Sequence, residues 1–378
     1  MSRRRSTHLL VGGALVLALS GVLAACVPDA PPGTAPSTTA PSTTAPSTTA
    51  PPTTVPGPSA NQESLADAAG WMLGQFNAQG YLPSSFDPAV ADLGNQVLAV
   101  AQLEALGVGS STAASRWAHV EAHAEEYLDD GAGDRAGALA RVIMAAIAAG
   151  ENPRDVNGSD LVARLEATIQ PDGRVGTQHP GFDGAFRQGL ALAALSLVTP
   201  RPASITPGPG QSIDDVPVVA WLQRQQCGDG SWFMFRASVA TPCVEQPATW
   251  TYKDANGTAL AILGLRAVGA DPDVDPMTWL SDVRGNDGGW GVGPSGPTVE
   301  SDADTTGLVI AAIESLGVTP DDGAYAALRS FQLGAAAAPA DRGAFRWKLS
   351  VPAANRLATL DAMTALFDEV WPGALLPD

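Results

Sequence analysis

Histidine and cysteine are scarce, with four of one and three of the other in 378 residues. His119 and His123 share one helical face at i and i+4, but two ligands without a third make a poor metal site. The expectation is a solvated face, no metal and no cofactor. Basic residues are also few, 21 against 39 acidic ones. That deficit argues against nucleic acid and against an anionic lipid surface as partners. No segment alternates polar and apolar residues for long, so strands are at most short pairs within connections. The one long apolar run, Leu9 to Leu23, is too short to cross a bilayer comfortably.

What is present at the N-terminus reads as an export signal. Arg3 to Arg5 form a positive segment ahead of the apolar run. Leu23-Ala24-Ala25-Cys26 resembles the lipobox of bacterial lipoproteins, which implies cleavage after residue 25 and lipidation of Cys26. Residues 26–59 are rich in Pro, Ser and Thr, with an APSTT unit repeated from Ala35, and nothing there can form a core. An extended, proline-stiffened tether is the reading. Export also fits the two remaining cysteines, Cys227 and Cys243, which can pair in an oxidising compartment. The expected location is the outer face of the cytoplasmic membrane, with the chain held there through Cys26.

Beyond residue 60 the chain repeats. Six Ala-rich segments are apolar nearly all round: Asn95–Gly107, Ala136–Gly150, Phe186–Val198, Asn256–Gly269, Thr305–Gly317 and Asn355–Phe367. Helices of that kind belong inside a structure. Six amphipathic segments alternate with them: Ser64–Asn77, Ala113–Leu128, Asp160–Ile169, Asp214–Gln226, Asp275–Val283 and Asp321–Gln332. The order outer, inner, repeated six times, predicts an all-α domain over 60–378, an inner ring of helices within an outer ring; a superhelical stack is the competitor.

The connections carry a family resemblance. WLQRQQCGDGSWF (221–233) before DANGTALAILGLRAVG (254–269), and VRGNDGGWG (283–291) before DADTTGLVIAAIESLG (302–317), resemble the prenyltransferase and squalene-oxidase repeat. The resemblance implies an α/α toroid of about six helix hairpins. Asp-Gly and Gly-Gly permit positive φ at these turns, and Trp232 and Trp290 can staple one repeat to the next or offer surface to a ligand.

Within that resemblance DADTTG is the sharpest motif. In class II triterpene cyclases a DxDD motif carries the proton donor; Asp302 matches its first residue, Asp304 the donor, and Thr305 stands where the last aspartate belongs. The competing reading is helix capping. It draws on Asp92, Asp134, Asp183 and Asp254, which also precede inner segments. Cys243-Val244-Glu245-Gln246 resembles the thioester motif of the complement and macroglobulin toroids, with Val244 in place of Gly. A Cys227–Cys243 disulfide is the alternative. Asp271, Asp273 and Asp275 alternate like a calcium loop, but Pro276 and Asp282 occupy the positions of its Gly and Glu.

The leading functional expectation is binding without catalysis, of an apolar or polycyclic small molecule or an envelope component. Candidate ligand-binding residues are Trp232, Trp250, Tyr252, Asp254, Trp290 and Trp347. The alternative is a carboxylate enzyme, cyclase-like or glycan-cleaving, using Asp304. An acid unique to one repeat separates the two, because acids that recur in every repeat read as caps.

Overall fold

The structure is a computed structural model and describes residues 59–129, 131, 133–176, 184–235, 243–245 and 251–376. Among them, twelve α-helices alternate between the surface and the axis of a ring. The outer helices are α1 (Ala60–Leu73), α3 (Ser110–Leu128), α5 (Leu161–Ala167), α7 (Pro217–Arg224), α9 (Met277–Asp282) and α11 (Asp322–Ser330). The inner ones are α2 (Leu93–Ala105), α4 (Ala136–Ala148), α6 (Ala185–Leu197), α8 (Ala255–Val268), α10 (Ala303–Ser315) and α12 (Arg356–Thr364). Strand pairing among the described residues is limited to isolated bridges in the connections.

Every inner helix packs on the next, α2 on α4, α4 on α6, α6 on α8, α8 on α10, α10 on α12, and α12 back on α2. The ring is therefore closed. First and last repeats are joined by hydrogen bonds: Gln332 Nε2 donates to Ser64 O at 2.8 Å, Trp71 Nε1 to Ala340 O at 2.9 Å, and Gln102 Nε2 to Leu360 O at 2.9 Å. Such bonds fix the closure in register, while burial of the inner segments supplies most of the driving force.

Inner helices approach this closely because small residues face one another. A Cβ on Gly189 would lie 2.1 Å from Leu260 O, and one on Gly307 would lie 2.3 Å from Asp361 O. Neither position tolerates a side chain without moving a helix.

The turns into α8, α10 and α12 are built to a common plan. The indole of Trp232 donates to Leu222 O at 2.9 Å, and that of Trp290 to Leu280 O at 2.8 Å. Backbone amides of Trp232, Trp290 and Phe345 donate to Thr258, Thr306 and Thr359 Oγ1 at 2.9, 3.0 and 2.9 Å. Each threonine is the fourth residue of its inner helix. The turn is thereby tied to the helix it introduces, and the indole to the outer helix it follows.

Candidate functional site

All six inner helices run in the same direction, so their N-termini gather at one end of the ring. Asp92, Asp254, Asp302 and Asn355 cap four of them by accepting a backbone amide three residues on. Asp254 accepts from Gly257 N at 2.9 Å and from Gly293 N at 3.2 Å. Asp302 accepts from Thr305 N at 2.8 Å and from Val292 N at 2.7 Å. Both carboxylates thus hold a helix end and the 291–295 loop at once. Burial pushes the Asp254 carboxyl up to about 6 and raises Asp302, and the amide hydrogen bonds pull against it in each. These two are structural caps. Asp134 differs, pairing with Arg164 at 2.6 Å, and Asp183 lies outside the described residues.

Asp304 is not a cap. It is the second residue of α10, and its equivalents in the other inner helices are Gly94, Gly137, Phe186, Asn256 and Leu357. An acid occurs there in one repeat of six. Among the described residues Asp304 Oδ1 is buried with no hydrogen-bond partner, as is Asn256 Oδ1 on the neighbouring helix.

One turn deeper, the sixth residue of each inner helix points to the axis: Leu98, Arg141, Leu190, Leu260, Leu308 and Asp361. Leucine is the rule, and Arg141 and Asp361 break it. They line one cavity of about 60 Å³ with Gln102, Met144, Phe186 and Thr364. Trp371 and Leu375, from the chain after α12, complete its lining. The Arg141 guanidinium lies 5.6 Å from the centre of the Phe186 ring.

Asp304 and Asp361 interact. Burial, and then the charges of Asp361 and Asp302, push Asp304 up to about 9; Lys348 pulls it down. Burial also pushes Asp361 up to about 7, against the pull of Arg141. The amide ends of the inner helices favour the anion by about 0.3–1 kcal/mol, less than about one pKa unit, which does not offset the shift. At neutral pH the pair therefore retains a proton. Asp361 stands on α12, 57 residues beyond Asp304 by residue number.

The ligand candidates fare unevenly. Trp232 and Trp290 are 0% and 3% exposed; their indoles are consumed in packing, which corrects the expectation that they face a ligand. Tyr252 is also buried, its hydroxyl raised by burial and by Asp254. Trp347 is half-buried at the mouth, with Lys348 Nζ 4.6 Å from its ring centre, and its carbonyl accepts from Ala303 N at 2.9 Å. Trp250 lies outside the described residues.

Cys227 and Cys243 form a disulfide, with Cα atoms 5.7 Å apart. The sulfur of Cys243 is thereby unavailable for a thioester; Gln246 lies outside the described residues. Asp271 pairs with Arg266, and Asp275 accepts from Met277 N at 2.9 Å, so the calcium-like run is a turn. His119 Nδ1 meets Gln96 Nε2 at 3.1 Å and His123 Nδ1 meets Glu126 at 2.8 Å.

No known family matches the sequence as a whole, and no characterised protein does. Solved structures do match in shape. A variant of the type II terpene cyclase MstE from Scytonema, bound to geranylgeranyl dihydroxybenzoate, has a TM-score of 0.53 at 13% identity, covering 81% of this chain and 96% of that one. An α-amylase from Clostridium perfringens gives 0.54 at 10% identity, over 80% and 96%. A glycosidase gives 0.52 at 14% identity, over 84% and 98%. The fold is a terpenoid cyclase-like α/α toroid. Since toroids of this shape perform unlike chemistries, fold does not choose among activities. The toroid's lumen has to do so.

Proposed function

We propose that this toroid is an acid–base catalyst acting on an apolar substrate in its lumen, with Asp304 as proton donor and Asp361 as its partner carboxyl. The reading rests on one observation: Asp304, an acid found at its helix position in one repeat alone, has a buried oxygen without a partner among the described residues and interacts with Asp361, which lines the lumen. Asp92, Asp254 and Asp302 cap helices, whereas Oδ1 of Asp304 meets no partner among the described residues. A pair of carboxyls held apart in proton affinity is the usual arrangement of a general acid beside a general base.

The walls favour an apolar substrate. Leu98, Leu190, Leu260, Leu308 and Met144 line most of the cavity and its polar groups are confined to Gln102, Arg141, Asp361 and Thr364, a balance that suits an apolar body carrying few polar groups. Asp304 transfers its proton to an epoxide oxygen or an electron-rich double bond, becoming a carboxylate. A later proton loss restores the acid. Such a reaction is redox-neutral, so product and substrate have equal mass. The expected test is incubation with linear polyenes and their epoxides followed by mass analysis. Isomers that disappear with Asp304→Asn in a folded protein support the reading; isomers that persist sink it.

The same proposal places the toroid outside the cytoplasmic membrane, tethered through residues 26–59 by a lipid on Cys26. The sequence of residues 1–59 supports this.

A further inference from the structure

The lumen's lining carries two buried polar atoms that nothing among the described residues satisfies. Gln102 is 4% exposed. Its Nε2 donates to Leu360 O at 2.9 Å and to Thr364 Oγ1 at 3.2 Å. The carbonyl acceptor fixes which end of the amide is nitrogen, so Oε1 is a true acceptor, and it is buried without a donor. On the adjacent inner helix, Arg141 Nη1 donates to Tyr127 Oη at 3.3 Å, while Arg141 Nε is a buried donor without an acceptor. Both side chains line the same cavity. Each orphan group costs about 1–3 kcal/mol while unpaired, a cost that a guest reaching both would remove.

Donor and acceptor together name the guest's chemistry. A carboxylate would satisfy Arg141 but press oxygen against Gln102 Oε1. An ammonium would satisfy Gln102 and be repelled by Arg141. A hydrocarbon would satisfy neither. A hydroxyl donates once and accepts twice, and so can satisfy both.

We propose that the lumen binds the hydroxyl group of an apolar alcohol at Gln102 and Arg141, with the hydrocarbon part lying against the leucine layer. The proposal rests on the lumen being a ligand site, as the acid–base reading holds, and it adds the substrate class. Arg141 and Gln102 are specificity-determining residues here; the proton donor is elsewhere.

The test is titration calorimetry of the mature chain carrying Cys26→Ser, which has no lipid to compete. The probes are 1-hexanol, hexane, hexanoate and hexylamine. The expected result is hexanol binding at least tenfold tighter than the other three, since about 1.4 kcal/mol is tenfold and each satisfied orphan is of that order. Arg141→Met, of similar length, should bring hexanol down to the level of hexane and leave hexane unchanged. Thermal unfolding of the variant establishes that it is folded. Equal affinity for hexanol and hexane would mean that water occupies the polar atoms, and would overturn the proposal. Tightest binding of hexanoate would make this an anion site instead, and no binding by any probe would mean that the lumen is closed; either outcome also overturns it. If the preference holds while isomers never form, the acid–base reading alone fails. If isomers form without any preference for alcohols, this inference alone fails.

Discussion

Asp302 accepts amide hydrogen bonds at both oxygens, whereas Asp304, two residues further along the same helix, has Oδ1 buried with no partner. Two residues thus separate a carboxylate that holds the fold from one that the fold does not use. Opposite responses to substitution follow.

Asp302→Ala removes the cap of α10 and a bond to the 291–295 loop. A lost cap costs about 1 kcal/mol, up to about 2, and the stranded Val292 amide adds about 1–3 kcal/mol. Urea unfolding at neutral pH should show a clear loss. Asp304→Asn should show none, because it removes a carboxyl that is buried and repelled by its neighbours. A stability loss for Asp304→Asn as large as that for Asp302→Ala would contradict the division of roles.

The same pair sets a pH dependence. Folded-state proton affinities of Asp304 and Asp361 are raised above the unfolded value of 3.8, to about 9 and about 7. Raised acids contribute stability that is complete below the unfolded value and is lost as pH climbs through the folded ones. Asp254, pushed up to about 6, adds to the early part of that fall. Stability measured from about pH 5 to about pH 9 should therefore decline, and the Asp304→Asn, Asp361→Asn double variant should decline less. Identical slopes would show that neither carboxyl holds a proton.

Helix contacts predict a contrast between two glycines. Gly307→Ala puts a Cβ 2.3 Å from Asp361 O, forcing α10 and α12 apart, with an expected loss of about 1–3 kcal/mol. Gly70 lies within α1 with nothing within 4 Å of its would-be Cβ. Gly70→Ala should raise stability by about 0.5–1 kcal/mol. Thermal melts of the two variants check both signs.

The disulfide predicts a mass and a stability. The intact protein should weigh two hydrogens less than its reduced form and should not react with methylamine. A closed loop of this size (sequence separation 16) is worth about 3 kcal/mol, so Cys227→Ala with Cys243→Ala should unfold at correspondingly lower urea.

Fractionation checks the anchor. The wild-type chain should appear with membranes, and Cys26→Ser should release it to the soluble fraction. A chain that is soluble with Cys26 intact would remove the lipid from the account.

The helices were legible in the sequence because their signal is local. Inner segments such as Ala136–Ala148 are apolar on every face, and the Gly-rich turns announce where each pair begins. The lumen was half legible. Asp304 stands in a recognisable motif, but Asp361 and Arg141 sit at the sixth position of helices far apart in sequence, and only closure of the ring brings them into one cavity. Trp232 and Trp290 misled in the opposite direction. An aromatic in a turn looks available until the indole is seen donating to the preceding outer helix.

The account stands on Asp304 holding a proton inside the lumen at neutral pH. Infrared difference spectroscopy between the wild-type chain and Asp304→Asn at pH 7 reads this directly, through the carbonyl stretch of a protonated carboxyl group. The expected result is a protonated-carboxyl band in the wild type that is absent from the variant. If the spectra differ only in carboxylate bands, Asp304 is ionised and cannot be the proton donor.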